Sequence, residues 1–159
     1  MLGRLRQVAY YLAPRLTAED REWALGFLNP AQQALFSAMG RADQAHAVRV
    51  ARRLHGRQAP AYAIEAALLH DCAKPADYNL FWRCFGVLMG RWLPVPQASQ
   101  VDGWPRMLRV YHWHDLDGLR LAEAAGTSPE AIALLAAYTG QSEEAPAWLE
   151  PLEVCDDLG

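Results

Sequence analysis

A histidine–aspartate pair at the end of a strongly apolar segment is the first feature that points to chemistry. The residues at 66–69 are all alanine or leucine, and His70 and Asp71 follow them directly. An imidazole and a carboxylate at a buried helix end cost several kcal/mol unless both groups have a partner. A divalent metal ion removes that cost, because both groups are good ligands for such an ion. The pair therefore indicates a metal site.

Lys74 follows this pair by three residues and is the only lysine in a chain with 14 arginines. A lysine retained in such a chain indicates a specific role for a point charge, such as contact with a phosphate. The alternative is an ion pair at a helix C-terminus, where the helix dipole favours a cation. Both interpretations remain open at this point.

His46 lies at the edge of the apolar face of a helix predicted over 42–55. This face comprises Ala47, Val50, Ala51 and Leu54. Arg49 and Arg53 lie just beyond the face, on the same side as His46. This arrangement is typical of a pocket with positive walls. Taken alone, however, His46 favours the alternative of a half-buried structural histidine beside a solvated arginine face.

Two acidic residues near the C-terminus, Asp156 and Asp157, form a further candidate site. Carboxylates in the last turn of a helix interact unfavourably with the helix dipole. Binding of a metal would explain their position, whereas an ordinary polar tail is the alternative.

The elements that must position these residues are predicted to be helices. The chain has 159 residues, enough for one domain, and contains 22 Leu and 28 Ala but only 8 Val and 2 Ile. The composition and the helix-terminating residues predict an all-α bundle of roughly eight to nine helices. One helix should end before Pro14, and another should end at Gly56. Thr17 and Asn29 are predicted N-caps of helices over 17–28 and from Pro30 to Gly40. Further helices are predicted over 60–73, 77–92, 104–111, 115–125, 128–138 and 147–158, with a surface loop at 94–103.

The helix predicted over 77–92 carries several large apolar side chains at helical spacing, which predicts that they belong to the core. These side chains are Trp82, Phe85, Met89 and Trp92. The apolar run over 80–93 is too short and too charged to cross a membrane, because it contains Arg83 and Arg91.

Net charge and cysteine content narrow the class of protein further. A net charge of −3 disfavours a protein that coats nucleic acid in general. The three cysteines, Cys72, Cys84 and Cys155, are odd in number and widely spaced, which favours reduced thiols and a cytoplasmic location. The N-terminus shows no secretory signal. The cysteines and histidines also lack a familiar zinc-site spacing, and His112 and His114 would point about 200° apart on one helix.

The order of His46, the His70–Asp71 pair and Asp156 resembles the HD-domain superfamily of metal-dependent phosphohydrolases. The segment 66–74 is similar to the most specific motif of that family, and the resemblance covers about residues 43–159. It implies a single HD-type domain over 1–159, with N-terminal helices over 1–41 and a metal-binding core over 42–159. Asp156 rather than Asp157 is matched to the family because it follows a small residue.

The resemblance also implies a cofactor, a substrate class and residue roles. One divalent ion (Mn, Fe, Ni or Mg) would be bound by His46, His70, Asp71 and Asp156. The reaction would be attack of water on a phosphate ester or anhydride of a nucleotide-like or other small phosphorylated molecule. Catalytic roles are expected for Asp71, Lys74 and His114, and contacts to the substrate are expected for Lys74, Arg49 and Arg53.

One branch of this family, which splits dinucleoside tetraphosphates symmetrically, binds a second metal through two further histidines. His114 matches the first of these positions, but Tyr138 stands at the second, so one metal ion per chain is expected. Two alternatives remain. The chain could be a non-catalytic, metal-bearing HD module that binds a nucleotide or a partner protein, or a structural helical protein with an accidental motif.

Overall fold

The computed structural model describes residues 16–94 and 102–158, and within these ranges the chain forms eight helices and no strand. The all-α prediction is confirmed. The helices are α1 (Ala18–Leu25), α2 (Pro30–Ala38), α3 (Arg41–Gly56), α4 (Ala61–Leu69), α5 (Leu80–Met89), α6 (Trp104–Ala124), α7 (Pro129–Tyr138) and α8 (Leu149–Asp157). The helix predicted before Pro14 and most of the loop predicted at 94–103 lie outside the described residues.

Local capping explains why the first two helices begin where they do. The side chain of Thr17 accepts a hydrogen bond from the backbone of Asp20, as the sequence predicted. Asn29 and Gln32 form a reciprocal capping box, with Pro30 at the first helical position. α1 ends at Leu25, three residues earlier than predicted.

The helix predicted over 42–55, with Gly56 as its end, is confirmed to within one residue, because α3 spans Arg41–Gly56. The chain leaves the helix at Gln58, which has a left-handed φ of 61°. The backbone N–H of Ala59 then reaches back to the carbonyl oxygen of Leu54 at 3.1 Å. This contact is typical of a helix terminus with a left-handed residue, a conformation that glycine adopts most readily and other residues adopt less often.

α4 is shorter than predicted, and this places the His–Asp pair in a turn. The helix ends at Leu69 rather than at residue 73. Cys72 donates its backbone N–H to Leu69, three residues back, which makes the following turn tighter than an α-helix. His70 and Asp71 therefore lie immediately beyond the helix, at a position set by the packing of α4.

Two helices were predicted over 104–111 and 115–125, but the chain forms the single 21-residue helix α6. Neither proline nor glycine lies between residues 111 and 115, so no residue there interrupts the hydrogen-bond ladder. His112 and His114 consequently lie on one continuous helix.

α5 runs along α6 and is more exposed than predicted. A Cβ atom added at Gly86 or Gly90 would lie 2.5 Å and 2.7 Å, respectively, from the ring of Tyr111, so these glycines allow α5 to approach α6 closely. The prediction that Met89 and Trp92 are core residues is wrong, because they are 40% and 76% exposed. Helical periodicity identifies an apolar face but does not show whether another element covers it.

The core lies around α4, which is buried along most of its length and packs against α3 and α7, while α8 packs against α3. This arrangement brings one end of α3, the end of α4 and the last turn of α8 together. Within the described ranges, no helix is both long and apolar enough to span a membrane.

Candidate metal centre

Three side chains from separate elements meet at this end of the core. His46 comes from α3, His70 follows α4, and Asp156 lies on α8; one potential ligand atom from each lies within 4.8 Å of the others. The Oδ1 atom of Asp156 lies 2.7 Å from Nε2 of His46 and 3.5 Å from Nε2 of His70. Both imidazoles thus face the same carboxylate oxygen. The structure brings together three of the four predicted ligands in a geometry that an ion could share.

The backbone of α4 fixes the orientation of the His70 ring. Nδ1 of His70 lies 2.8 Å from the carbonyl oxygen of Ala67. A carbonyl oxygen only accepts hydrogen bonds, so Nδ1 carries a proton and the neutral ring presents the lone pair of Nε2 to the cluster. Such a hydrogen bond from the second ring nitrogen is the usual support of a metal-binding histidine.

Asp156 uses its two carboxylate oxygens for different partners. Oδ1 faces the two imidazoles, whereas Oδ2 accepts a hydrogen bond of 2.9 Å from the hydroxyl of Tyr138. Burial opposes ionisation of Asp156, but hydrogen bonds from His46 and His70 outweigh it and hold the pKa well below its usual range. Burial and the Asp156 carboxylate raise the pKa of Tyr138, so the phenol keeps its proton and acts as a donor.

Asp71 lies beside this group, and its two oxygens also differ. Oδ1 lies 2.5 Å from Nζ of Lys74, and Oδ2 lies 3.6 Å from Nε2 of His70. Burial opposes its charge, but Lys74 and then His70 and His46 hold the pKa of Asp71 well below its usual range. The ion pair proposed as the alternative role of Lys74 is therefore present. The role of Asp71 as a metal ligand remains a prediction.

His70 binds a proton strongly when no cation balances the two carboxylates. Burial lowers the pKa of His70, but Asp71 and Asp156 outweigh burial and raise it from 6.5 to about 9. At neutral pH the cluster is therefore a site for positive charge, which either a proton or a metal ion can provide.

The cluster opens into a cavity of about 650 Å³. Besides the candidate ligands, the cavity is lined by four of the residues singled out from the sequence, which are Arg49, Lys74, His114 and Tyr138. Arg53 is not among the lining residues. Its guanidinium donates hydrogen bonds to the carbonyl oxygens of Cys155 and Leu158, at 3.1 and 3.0 Å, and so caps α8. The structure thus separates Arg49 from Arg53, which the sequence had grouped together.

The two histidines on α6 have different surroundings. Nδ1 of His114 lies 2.9 Å from the carbonyl oxygen of Val110, and its Nε2 lies 3.2 Å from Asp115. Burial and then the charge of Lys74 lower the pKa of His114. His112 instead lies 3.2 Å from the carbonyl oxygen of Gly90 and joins α6 to the end of α5. The prediction that the side chains of His112 and His114 point in different directions is confirmed.

Sequence reasoning missed several residues that line the cavity. Asp43 is 4% exposed and forms an ion pair with Arg83, which joins α3 to α5. The remaining wall of α5 is apolar, with Leu80, Val87 and Leu88 among its residues. An acid in the first turn of the helix that carries His46 was a usable signal for Asp43. The α5 wall was missed because its apolar spacing was interpreted as core.

Comparisons of the chain with known proteins identified no similar protein, whether among protein-family models, curated proteins or solved structures. The functional argument therefore depends on the residues and geometry described above.

Proposed function

We propose that this chain is a metal-dependent phosphohydrolase of the HD type, which cleaves a phosphate ester or anhydride of a nucleotide-like or other small phosphorylated molecule. The convergence of His46, His70 and Asp156 at the wall of a cavity carries this proposal. These residues are far apart in the sequence, and they are the same residues that match the HD pattern.

The donor set fits a divalent metal ion. It combines two imidazole nitrogens with a carboxylate oxygen, and the backbone hydrogen bond of His70 fixes the ring with Nε2 facing the cluster. His46, His70 and Asp156 would hold the ion, with Asp71 as a fourth candidate ligand. When bound, the ion supplies positive charge that stabilises the phosphoryl oxygens and promotes ionisation of a water molecule.

The chain supplies further groups for a phosphate. Lys74 and Arg49 line the same cavity and add positive charge beside the cluster. His114 also lines the cavity, and we assign it exchange of a proton with the leaving oxygen. Asp71 positions Lys74 through their ion pair.

Metal loading combined with turnover tests the proposal. The purified chain is titrated with Mn²⁺, Fe²⁺, Ni²⁺ or Mg²⁺ and assayed with a panel of phosphate esters and nucleotides. We expect one tightly bound ion per chain, because Tyr138 donates to Asp156 instead of offering an additional imidazole. Hydrolysis should stop on chelation and return when the metal is restored.

Two results would contradict this function in different ways. Absence of a stoichiometric metal after loading would exclude the metal centre itself. A bound metal without turnover of any substrate would favour the non-catalytic metal-bearing module.

A further inference from the structure

The wall that α5 contributes to the cavity differs in chemistry from the other walls. Apart from Arg83, its lining side chains are aliphatic or a thiol, and they are Leu80, Cys84, Val87 and Leu88. The metal-ligand candidates and the cations Arg49 and Lys74 come from other elements. The cavity therefore has a charged part and an apolar part.

The volume of the cavity exceeds the needs of a phosphate group. At about 650 Å³ it falls in the range of pockets that enclose a drug-sized molecule. A phosphate placed among the cluster, Arg49 and Lys74 leaves the α5 wall to the rest of the substrate. That remainder would cover Val87 and Leu88, which are 65% and 69% exposed.

Side chains that could read a nucleobase by hydrogen bonding are scarce on the α5 wall, where the one charged side chain, Arg83, is paired with Asp43. Among the described residues that line the whole cavity, none carries a side-chain amide, and the one hydroxyl, of Tyr138, donates to Asp156. Sites that discriminate by hydrogen bonding place such groups against the substrate. Aliphatic side chains instead favour a substrate group that makes no hydrogen bonds.

We infer that the substrate is an amphipathic phosphate ester whose alkyl or similarly apolar group packs on Leu80, Val87 and Leu88. This inference rests on the proposed phosphohydrolase function and names the substrate class of the same site. The phosphate would lie at the charged part of the cavity, and the apolar group would extend along α5 toward its mouth.

A series of alkylphosphonates, from methyl to octyl, tests this assignment without requiring turnover. Their affinity for the metal-loaded protein is measured by calorimetry and expressed relative to methylphosphonate on the same protein. We expect the affinity to rise about two- to fourfold for each added CH₂ until the wall is covered. In parallel, kcat/KM for the corresponding alkyl phosphates should rise with chain length.

Two exposed residues of α5 provide a matched pair of variants. Leu88→Ser should flatten the dependence on chain length, because Leu88 lines the cavity. Phe81→Ser should keep the wild-type slope, because Phe81 is 65% exposed on the same helix but is not a lining residue. Both side chains are exposed, so neither substitution removes core packing.

The outcomes separate this inference from the function on which it rests. Three results overturn the inference. They are an affinity of the wild type that does not change with alkyl chain length, an equal loss of this dependence in both variants, and tighter binding of adenosine 5′-phosphonate than of octylphosphonate. A preserved slope without hydrolysis of any ester supports the apolar subsite and contradicts the phosphohydrolase function. Hydrolysis without a slope contradicts the apolar subsite alone.

Discussion

Two polar clusters, one around Glu65 in α4 and one around His70 just beyond its end, are built differently. Glu65 and His70 are only five residues apart in the sequence. In the first, Glu65 accepts hydrogen bonds from the amide of Gln32 and from the backbone and hydroxyl of Ser128, all of them neutral donors. Gln32 also donates to Thr127. In the second, just beyond the end of α4, the carboxylates of Asp71 and Asp156 face two imidazoles and need a proton or a metal ion between them.

The difference shows which cluster is structural and which is available for chemistry. The Glu65 cluster ties α2 and the start of α7 to α4, and none of its members lines the cavity. Its one carboxylate is satisfied by neutral donors, so it needs no ion. The second cluster opens into the cavity and contains only groups that exchange protons or bind metals. Burial of polar groups is common to both clusters, so it does not distinguish them; unmatched charge beside a cavity is what sets the candidate metal centre apart.

The largest expected effect is on metal affinity when Asp156 is replaced. Asp156→Ala removes the carboxylate that both imidazoles face, and we expect a loss of several hundredfold, or about 3–4 kcal/mol, as for one ligand of a small set. Calorimetric titration and the metal-induced rise in Tm measure this loss.

Asp157→Ala is the matched control for this substitution, because Asp157 is the adjacent, exposed carboxylate on α8. It should bind metal as the wild type does. Equal losses in the two variants would show that the effect is one of general surface charge.

The next largest effect is on the stability of the metal-free protein, whose free energy of unfolding should depend on pH. The pKa of His70 is raised from 6.5 to about 9, so the folded state binds more protons than the unfolded state between these values. The stabilisation is complete below pH 6.5 and is lost as pH rises toward 9, by up to about 3 kcal/mol. Urea denaturation across this range measures it.

Metal-loaded protein should lack this decline, because a bound imidazole is neutral. His70→Gln should remove the decline from the metal-free protein as well. A decline of equal size in metal-free and metal-loaded samples would exclude His70 as its origin.

Replacement of Glu65 should change stability and leave metal binding intact. Glu65→Ala deprives Gln32 and Ser128 of their acceptor, and we expect a loss of about 2 kcal/mol in the free energy of unfolding. Urea denaturation measures the loss, and titration at a temperature where the variant is folded should give a wild-type metal affinity. A large loss of metal affinity would mean that the two clusters are coupled through α4.

Replacement of Lys74, which belongs to the second cluster, distinguishes a contact to the substrate from the ion pair with Asp71 alone. If Lys74 contacts the substrate phosphate, Lys74→Ala should lower kcat/KM about tenfold while the metal content stays at one ion per chain. Lys74→Arg should restore only part of the activity, since a planar guanidinium does not replace a point charge. Equal loss of metal and of folded protein in both variants would assign Lys74 to the Asp71 ion pair alone.

The smallest expected effect concerns Tyr138. Tyr138→Phe removes the hydrogen bond to Oδ2 of Asp156 and keeps the ring, so we expect metal affinity to fall by no more than about tenfold, because His46 and His70 still orient Asp156. Titration with Mn²⁺ measures the change, and Tyr62→Phe serves as a control on α4, since Tyr62 does not line the cavity. An unchanged affinity would show that Asp156 is oriented by the imidazoles alone.

Local chemistry in the sequence was enough to predict the helical class and several helix starts. The caps at Thr17 and Asn29 act within a few residues, so their effect is contained in the sequence. The buried His–Asp pair was recognisable for a similar reason, because its residue types conflict with the apolar segment before it. Other helix ends were harder to predict: α4 ends at Leu69 rather than at residue 73, and α6 continues through 112–114 without a break.

Tertiary structure alone decided which side of each helix meets which partner. Arg49 and Arg53 lie one helical turn apart on the same side of α3, yet one lines the cavity and the other caps α8. The apolar face of α5 became an exposed cavity wall because no described helix covers it completely. The periodicity of the sequence determines which face of a helix is apolar, whereas tertiary packing determines which other element contacts that face. For the same reason, His46 was ambiguous until α8 placed Asp156 at 2.7 Å from its ring.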